Sequence, residues 1–226
     1  MHIPDGFLST PVSVATYAVS AVTGGVAVYR AKKRFADRLV PMAGVCAAFI
    51  FAAQMMNFPI SGGTSGHFLG AVLACVLLGP SVGFWVMTLV LAVQALLFAD
   101  GGITALGANV MNMGLIGGVL VYFIFFGALK LLPKNKKSFI SAVAVASWLS
   151  VVLAAAVCSL ELAFSGTIPF GVVFPVMTTT HALIGIGEAI ITTAVTAYVL
   201  SARPDLVFAW SEEPTLGLSK EVLADG

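Results

Sequence analysis

Long apolar segments separated by short polar ones constrain this sequence more than any other feature. Hydrophobic residues make up 59% of the 226 residues and charged residues only 9%, whereas a soluble domain carries about 25% charged residues. The sequence therefore predicts an all-α integral membrane protein, with one membrane domain over residues 1–226 and the lipid bilayer as its surroundings. Its net charge of only +1 argues against a nucleic-acid partner.

Hydropathy and helix-breaking residues predict seven transmembrane helices over residues 12–201, between an N-terminal peptide (1–11) and a polar cytoplasmic tail (202–226). The third predicted span is too short for a straight crossing, so either the loop before it enters the bundle or the helix stops short of the far side. The predicted spans are Val12–Tyr29, Val40–Asn57, Phe68–Gly79, Val82–Phe98, a fifth that begins at Asn109 to Asn112 and ends before Lys130, Phe139–Phe164 and Phe174–Leu200.

The basic residues predict the orientation of these spans. With seven spans and the N-terminus outside, all 11 Lys and Arg residues fall on the cytoplasmic side, as the positive-inside rule requires. An even number of spans would move Arg203 and Lys220 to the outside and lose this agreement. Basic residues also follow the first apolar run rather than precede it, so we expect a retained helix and not a cleaved signal peptide.

The first residues form a short polar peptide, and His2 is one of only three histidines. The free amine of Met1, the amide nitrogen of His2 and the Nδ1 atom of its ring can close a five-membered and a six-membered chelate ring around one ion. A fourth nitrogen from another imidazole would complete the planar set that suits Ni(II) or Cu(II) and can be imposed on Co(II). Since the amine and the amide must lose protons, binding should weaken in acid.

His67 is predicted to supply that fourth nitrogen. It ends a loop rich in glycine and hydroxyl residues, and the short third span places it below the outer surface. The predicted metal ligands are therefore Met1, His2 and His67. The residues predicted to orient the imidazole rings are Ser61, Thr64, Ser65, Asn109 and His181.

Other polar residues within the apolar spans receive weaker assignments. Gln94, Asn109 and Asn112, taken singly, are interpreted as interhelical hydrogen-bond partners. His181 is alternatively a packing histidine. Glu188 lies too far along its helix from His181 to share an ion, so we expect an internal hydrogen bond or a coupling role for it. The cysteines lie in apolar runs without metal-binding spacing and are predicted to be packing residues: Cys46, Cys75 and Cys158.

Four separated motifs, at residues 1–9, 61–67, 98–109 and 181–188, occur in an order that resembles the CbiM/NikM family. These proteins are the substrate-capture membrane subunits (S-components) of energy-coupling-factor type cobalt and nickel uptake transporters. The resemblance implies a six-helix substrate-binding core with one added N-terminal helix. It also implies that the N-terminal peptide is tucked into the centre and holds the ion through Met1, His2 and His67.

The resemblance implies partners as well: a small membrane subunit, a transmembrane coupling subunit and cytoplasmic ATPase subunits. The sequence contains no GxxxxGK[ST] phosphate loop, so ATP hydrolysis would have to come from another chain. We therefore expect a transporter subunit of a prokaryotic cell membrane, with no catalytic cofactor and with Ni(II) or Co(II) as the transported ion. Two alternatives are a vitamin-binding subunit of the same transporter class and an intramembrane metalloenzyme.

Overall fold

A computed structural model of the protein describes residues 1–32, 39–60 and 64–211. Helices form most of it, and two short antiparallel strands pair Phe58 with Gly66 and Ile60 with Thr64. The helices are α1 (Thr10–Ala31), α2 (Leu39–Gln54), α3 (Ala71–Leu78), α4 (Pro80–Leu97), α5 (Leu106–Leu129), α6 (Lys136–Phe164), α7 (Phe170–Ala202) and α8 (Phe208–Ser211), and the strands are β1 (Phe58–Ile60) and β2 (Thr64–Gly66).

Five of these helices, α1, α4, α5, α6 and α7, are long and apolar enough to cross a membrane, and α2 is a shorter apolar helix. The predicted α-helical integral membrane protein is therefore confirmed, apart from the two short strands. The count of seven spans, the orientation, and the division into peptide, bundle and tail stay predictions. Part of the basic pattern behind the orientation, residues 33–38 and Lys220, lies outside the described residues.

Helix α3 lies at the centre of the bundle, where all eight of its residues are buried. Glycines in left-handed conformation bound it, Gly70 with φ of 76° and Gly79 with φ of 82°. Proline at position 80 then starts α4 directly, so the chain reverses without a loop. The short third segment is thus a central helix, and the residues directly before it, 66–70, are buried as well, which agrees with the first of the two predicted alternatives.

Two details differ from the sequence prediction. Helix α2 ends at Gln54, short of the predicted end of the span at Asn57, and the Asn57 amide donates to Asp100 across 3.1 Å. Residues 111–120 of α5 are π-helical, so the fifth predicted span is not α-helical throughout.

The C-terminal end of α3 is covered by the last described segment. A β-carbon added at Gly79 would lie 2.9 Å from the ring of Phe208, so this glycine permits close packing as well as the turn. The ring of Trp210 packs edge-on against Phe139 of α6, with centroids 5.1 Å apart. The segment after α7 is therefore part of the folded bundle.

Candidate metal centre

The N-terminal peptide is buried inside the bundle. Met1 and Ile3 are fully buried and His2 is only 3% exposed. A free terminus normally frays unless specific contacts hold it. The contacts of this peptide therefore determine whether its nitrogens are positioned to bind an ion.

Main-chain hydrogen bonds fix the peptide at Ile3. The Ile3 amide donates to the Asn109 side-chain oxygen at 2.8 Å, and the Asn109 amide group donates back to the Ile3 carbonyl at 3.2 Å. The Gly102 amide donates to the same carbonyl at 2.8 Å. Asn109, predicted to orient an imidazole ring, instead binds the peptide backbone.

A second set of contacts holds Asp5. Its carboxylate accepts hydrogen bonds from the main-chain amide of Thr104 at 2.7 Å and from the Thr104 hydroxyl at 2.6 Å. These bonds hold the pKa of Asp5 below its usual value. Between the two attachments the peptide passes so close to Gly102 that an added β-carbon would lie 2.3 Å from the Asp5 nitrogen. Only glycine fits at that position.

The Met1 amine meets the imidazole of His67. The Met1 nitrogen lies 3.0 Å from His67 Nε2, and the other ring nitrogen, Nδ1, donates to the Phe68 carbonyl at 2.7 Å. Because Nδ1 carries the proton in the neutral ring, Nε2 has a lone pair that faces the amine. The same nitrogen is the one that a metal ion would use.

The His2 ring stacks on His67, with centroids 4.4 Å apart and ring planes inclined by 23°. Its Nε2 lies 3.2 Å from the side-chain oxygen of Gln94, an acceptor, so Nε2 carries the proton and Nδ1 keeps its lone pair. His2 Nδ1 has no hydrogen-bond partner among the described residues and lies 3.4 Å from an oxygen of Asp100. Gln94 therefore fixes the tautomer that a chelating His2 needs.

Burial keeps these nitrogens neutral. It lowers the pKa of the Met1 amine to about 5 and that of His2 to about 3, and it moves the pKa of His67 well below its usual value. Charge repulsion from the amine acts in the same direction on both imidazoles. At neutral pH the amine and the two rings are thus in the form that coordinates metal ions.

Glu188 positions the segment that carries His67. Its two carboxylate oxygens accept from the main-chain amides of Leu69 at 2.6 Å and Gly70 at 2.8 Å. Glu188 lies on α7, so these bonds tie the loop that follows His67 to the longest helix. This agrees with the internal hydrogen bond expected for Glu188.

The remaining predicted residues have different outcomes. His181 is buried, and its Nδ1 bonds to the Met177 carbonyl at 2.8 Å; its role beside the metal ligands stays a prediction. Ser61 lies outside the described residues, and the roles of Thr64 and Ser65 also stay predictions. Of the interhelical partners, Asn112 donates to Glu161 at 2.5 Å. The cysteines are buried and unbridged, as expected for packing residues: Cys46, Cys75 and Cys158.

Side chains alone do not reveal this centre. Within residues 1–32, 39–60 and 64–211, no group of three or more His, Cys, Asp or Glu residues could hold a metal ion. The candidate donors are instead two imidazoles and two nitrogens of the main chain. The sequence signal was the position of His2 next to the terminal amine. Neither the contact of Gln94 nor that of Asp100 with His2 was predicted.

Comparison with known proteins decides the family. The family model of the cobalt uptake substrate-specific transmembrane region, CbiM, matches residues 2–206. The chain belongs to the CbiM family. This confirms the predicted family and, together with the apolar helices, a multi-pass membrane protein of a prokaryote. It also confirms a transport protein rather than an enzyme.

Other CbiM relatives are similar over nearly all of this chain. One from Archaeoglobus fulgidus, whose name assigns it to nickel transport as a fused NikMN protein, is 43% identical over 92% of this chain and 68% of the relative. One from Haloquadratum walsbyi, whose name assigns it to metal transport, is 44% identical over 96% of this chain and 97% of the relative. The crystal structure of a truncated transition metal transporter superimposes with a TM-score of 0.82, at 34% identity, over 89% of this chain and 99% of that chain.

Proposed function

We propose that this protein is the substrate-binding membrane subunit of an ATP-driven uptake transporter for Ni(II) or Co(II). The observation that carries the proposal is the 3.0 Å contact between the Met1 amine and His67 Nε2 inside the bundle. Both nitrogens are neutral, carry lone pairs and are buried away from water. They are two of the four nitrogens of the proposed metal site. The chelating atoms of His2 lie directly beside them.

The proposed donor set is the Met1 amine, the amide nitrogen and Nδ1 of His2, and Nε2 of His67. An ion bound by this set has four nitrogens, three of which belong to adjacent chelate rings and lie in a plane. Planar nitrogen coordination suits Ni(II) and can be imposed on Co(II). Hydrogen bonds from the second nitrogen of each imidazole, to Gln94 and to Phe68, support this orientation of the rings.

Family membership supports the transport role. Relatives carry names that assign them to nickel, cobalt or metal transport. On the predicted orientation the peptide faces the outside, so the ion is captured there. Energy is then supplied by cytoplasmic ATPase subunits, through a transmembrane coupling subunit and with a small membrane subunit as a further partner.

The test is isothermal titration of the purified protein with Ni(II) and with Co(II). We expect His2→Ala and His67→Ala each to abolish high-affinity binding of both ions while the protein still folds. The control is Tyr198→Ala, which removes an exposed ring from α7 away from the proposed donors and should retain binding. High-affinity binding by the His67→Ala variant would contradict the proposed function.

A further inference from the structure

Helix α1 is the least buried of the five helices that are long enough to cross a membrane. Its other faces are largely exposed, with Val22 at 68% and Tyr29 at 65%. The residues that it buries form one stripe, spaced three or four apart: Thr16, Ser20, Gly24 and Ala27. The contacts made along this stripe therefore decide what α1 is attached to.

Two hydroxyl groups of α1 bond to the segment that holds the N-terminal peptide. We call residues 101–109 the clamp segment. The Ser20 hydroxyl donates to the Gly107 carbonyl at 2.7 Å, and the Tyr17 hydroxyl donates to the Ile103 carbonyl. Hydrogen bonds of this kind join helices inside a bilayer, where apolar contact alone does not favour protein over lipid.

The main chain of α1 also touches the clamp segment directly. A β-carbon added at Gly107 would lie 2.6 Å from the Tyr17 nitrogen, so glycine is needed at this contact. On the next turns of the stripe, a β-carbon added at Gly24 would lie 3.3 Å from the ring of Trp85 on α4. Because main-chain atoms meet at Gly107, a displacement of α1 is not absorbed by side-chain rotation.

The same clamp segment holds the peptide on its other side. Gly102, Thr104 and Asn109 bind the peptide at Ile3 and Asp5. The two residues that accept hydrogen bonds from α1 lie between these three along the chain. The clamp segment therefore cannot shift with α1 without also shifting the peptide that carries the proposed ligands.

We propose that α1 positions the metal centre, and that Tyr17, Ser20 and Gly107 are positioning residues that set how long the captured ion stays bound. This inference rests on the proposed nitrogen site. Three of the four proposed donors belong to the peptide, so the ion leaves when the peptide moves away from His67. Loosening α1 from the clamp segment raises the dissociation rate, while the donors to the bound ion stay the same.

The first test measures dissociation of Ni(II) from the full chain by stopped-flow absorption, with excess EDTA as the trap. In Gly107→Ala the added β-carbon overlaps the main chain of Tyr17, and we expect dissociation about tenfold faster or more. The absorption spectrum of the bound ion should not change. The matched control is Gly127→Ala, also in α5, where an added β-carbon meets no atom within 4 Å; it should release Ni(II) at the unchanged rate.

The second test removes one hydroxyl group without adding an atom. Ser20→Ala deletes the buried bond to the Gly107 carbonyl, and dissociation should become about fivefold faster. The matched control is Thr23→Ala, which deletes a hydroxyl bonded to the Val19 carbonyl within α1 itself, and its rate should not change. A purely structural role would lower the melting temperature and leave the dissociation rate of the folded protein unchanged.

The outcomes separate this inference from the proposed function. Equal dissociation rates of folded Gly107→Ala and Gly127→Ala overturn the role of α1, and so do equal rates of Ser20→Ala and Thr23→Ala. If His67→Ala abolishes Ni(II) binding in the same series, the nitrogen site stands without that role. If His67→Ala binds like the unchanged protein, the proposed function itself fails. If thermal melting shows that Gly107→Ala is unfolded, the Ser20→Ala comparison decides.

Discussion

Replacing Gly102 by alanine should displace the N-terminal peptide without touching any proposed ligand. The added β-carbon would lie 2.3 Å from the Asp5 nitrogen and 2.6 Å from the Pro4 carbonyl carbon. Both are main-chain atoms, so no side-chain rotation relieves the overlap. Ordinary contact requires the peptide to move by about 1 Å, because close-packed interiors do not absorb such an overlap.

A shift of this size breaks the hydrogen bonds at Ile3. Those bonds are the Gly102 amide to the Ile3 carbonyl and the two reciprocal bonds with Asn109. Each buried bond contributes about 1 kcal/mol, so the docked peptide loses about 2 to 3 kcal/mol. Since only the docked peptide presents the Met1 amine to His67, metal affinity should fall about 30- to 150-fold.

Calorimetric titration of Gly102→Ala with Ni(II) measures this loss. The matched control is Gly25→Ala in α1, where an added β-carbon meets no atom within 4 Å; it should bind like the unchanged protein. Thermal melting of both variants separates displacement of the peptide from loss of the fold. Unchanged Ni(II) affinity in a folded Gly102→Ala variant would refute the reasoning, because the docked peptide could not then be needed.

Two further predictions concern the His67 loop and the protons released on binding. Glu188→Gln leaves one acceptor oxygen where two now accept from the Leu69 and Gly70 amides, so Ni(II) affinity should fall about 10- to 100-fold. The matched control is Glu161→Gln, the same change at a buried carboxylate bound to Asn112, which should bind normally. Equal Ni(II) affinities of the two variants would contradict the role of Glu188. Burial lowers the pKa of the Met1 amine to about 5, so the amine is already neutral at pH 7 and metal binding should release only about one proton, from the His2 amide. Titration in buffers of different ionisation enthalpy measures this number, and release of about two protons would contradict a buried neutral amine. Because the amine has an ordinary pKa of 8.0 when unfolded, the docked peptide binds fewer protons than the free one between pH 5 and 8, and docking should weaken as the pH falls through that window.

The sequence predicted the parts of the centre that depend on chain length and chemistry. The third apolar segment was too short to cross a bilayer, which predicted that His67 lies below the outer surface, whether the loop before it enters the bundle or the helix stops short. The terminal amine followed by His2 predicted a chelating group by covalent geometry alone. The structure brings these residues together as expected, whereas metal binding by them stays a proposal.

The parts that were not predicted depend on tertiary placement. Asp100 lies 3.4 Å from His2 Nδ1 and directly follows Ala99, which has a φ of 53°; alanine gives no sequence signal for that conformation. Gln94 was expected to bond between helices, but its oxygen accepts from the His2 ring inside the site. The π-helical turns after Val110 were also invisible, because apolar periodicity does not distinguish them from α-helix over so short a segment.

The proposed site depends most directly on the terminal amine of Met1 as a metal ligand. Adding one alanine before Met1 turns that amine into an amide and moves the free amine away from His67, whereas adding one alanine after Gly226 is a matched change at the other end. Calorimetric titration with Ni(II) should detect no high-affinity binding in the first variant and normal binding in the second. Undiminished affinity in the protein extended before Met1 would contradict the proposed site.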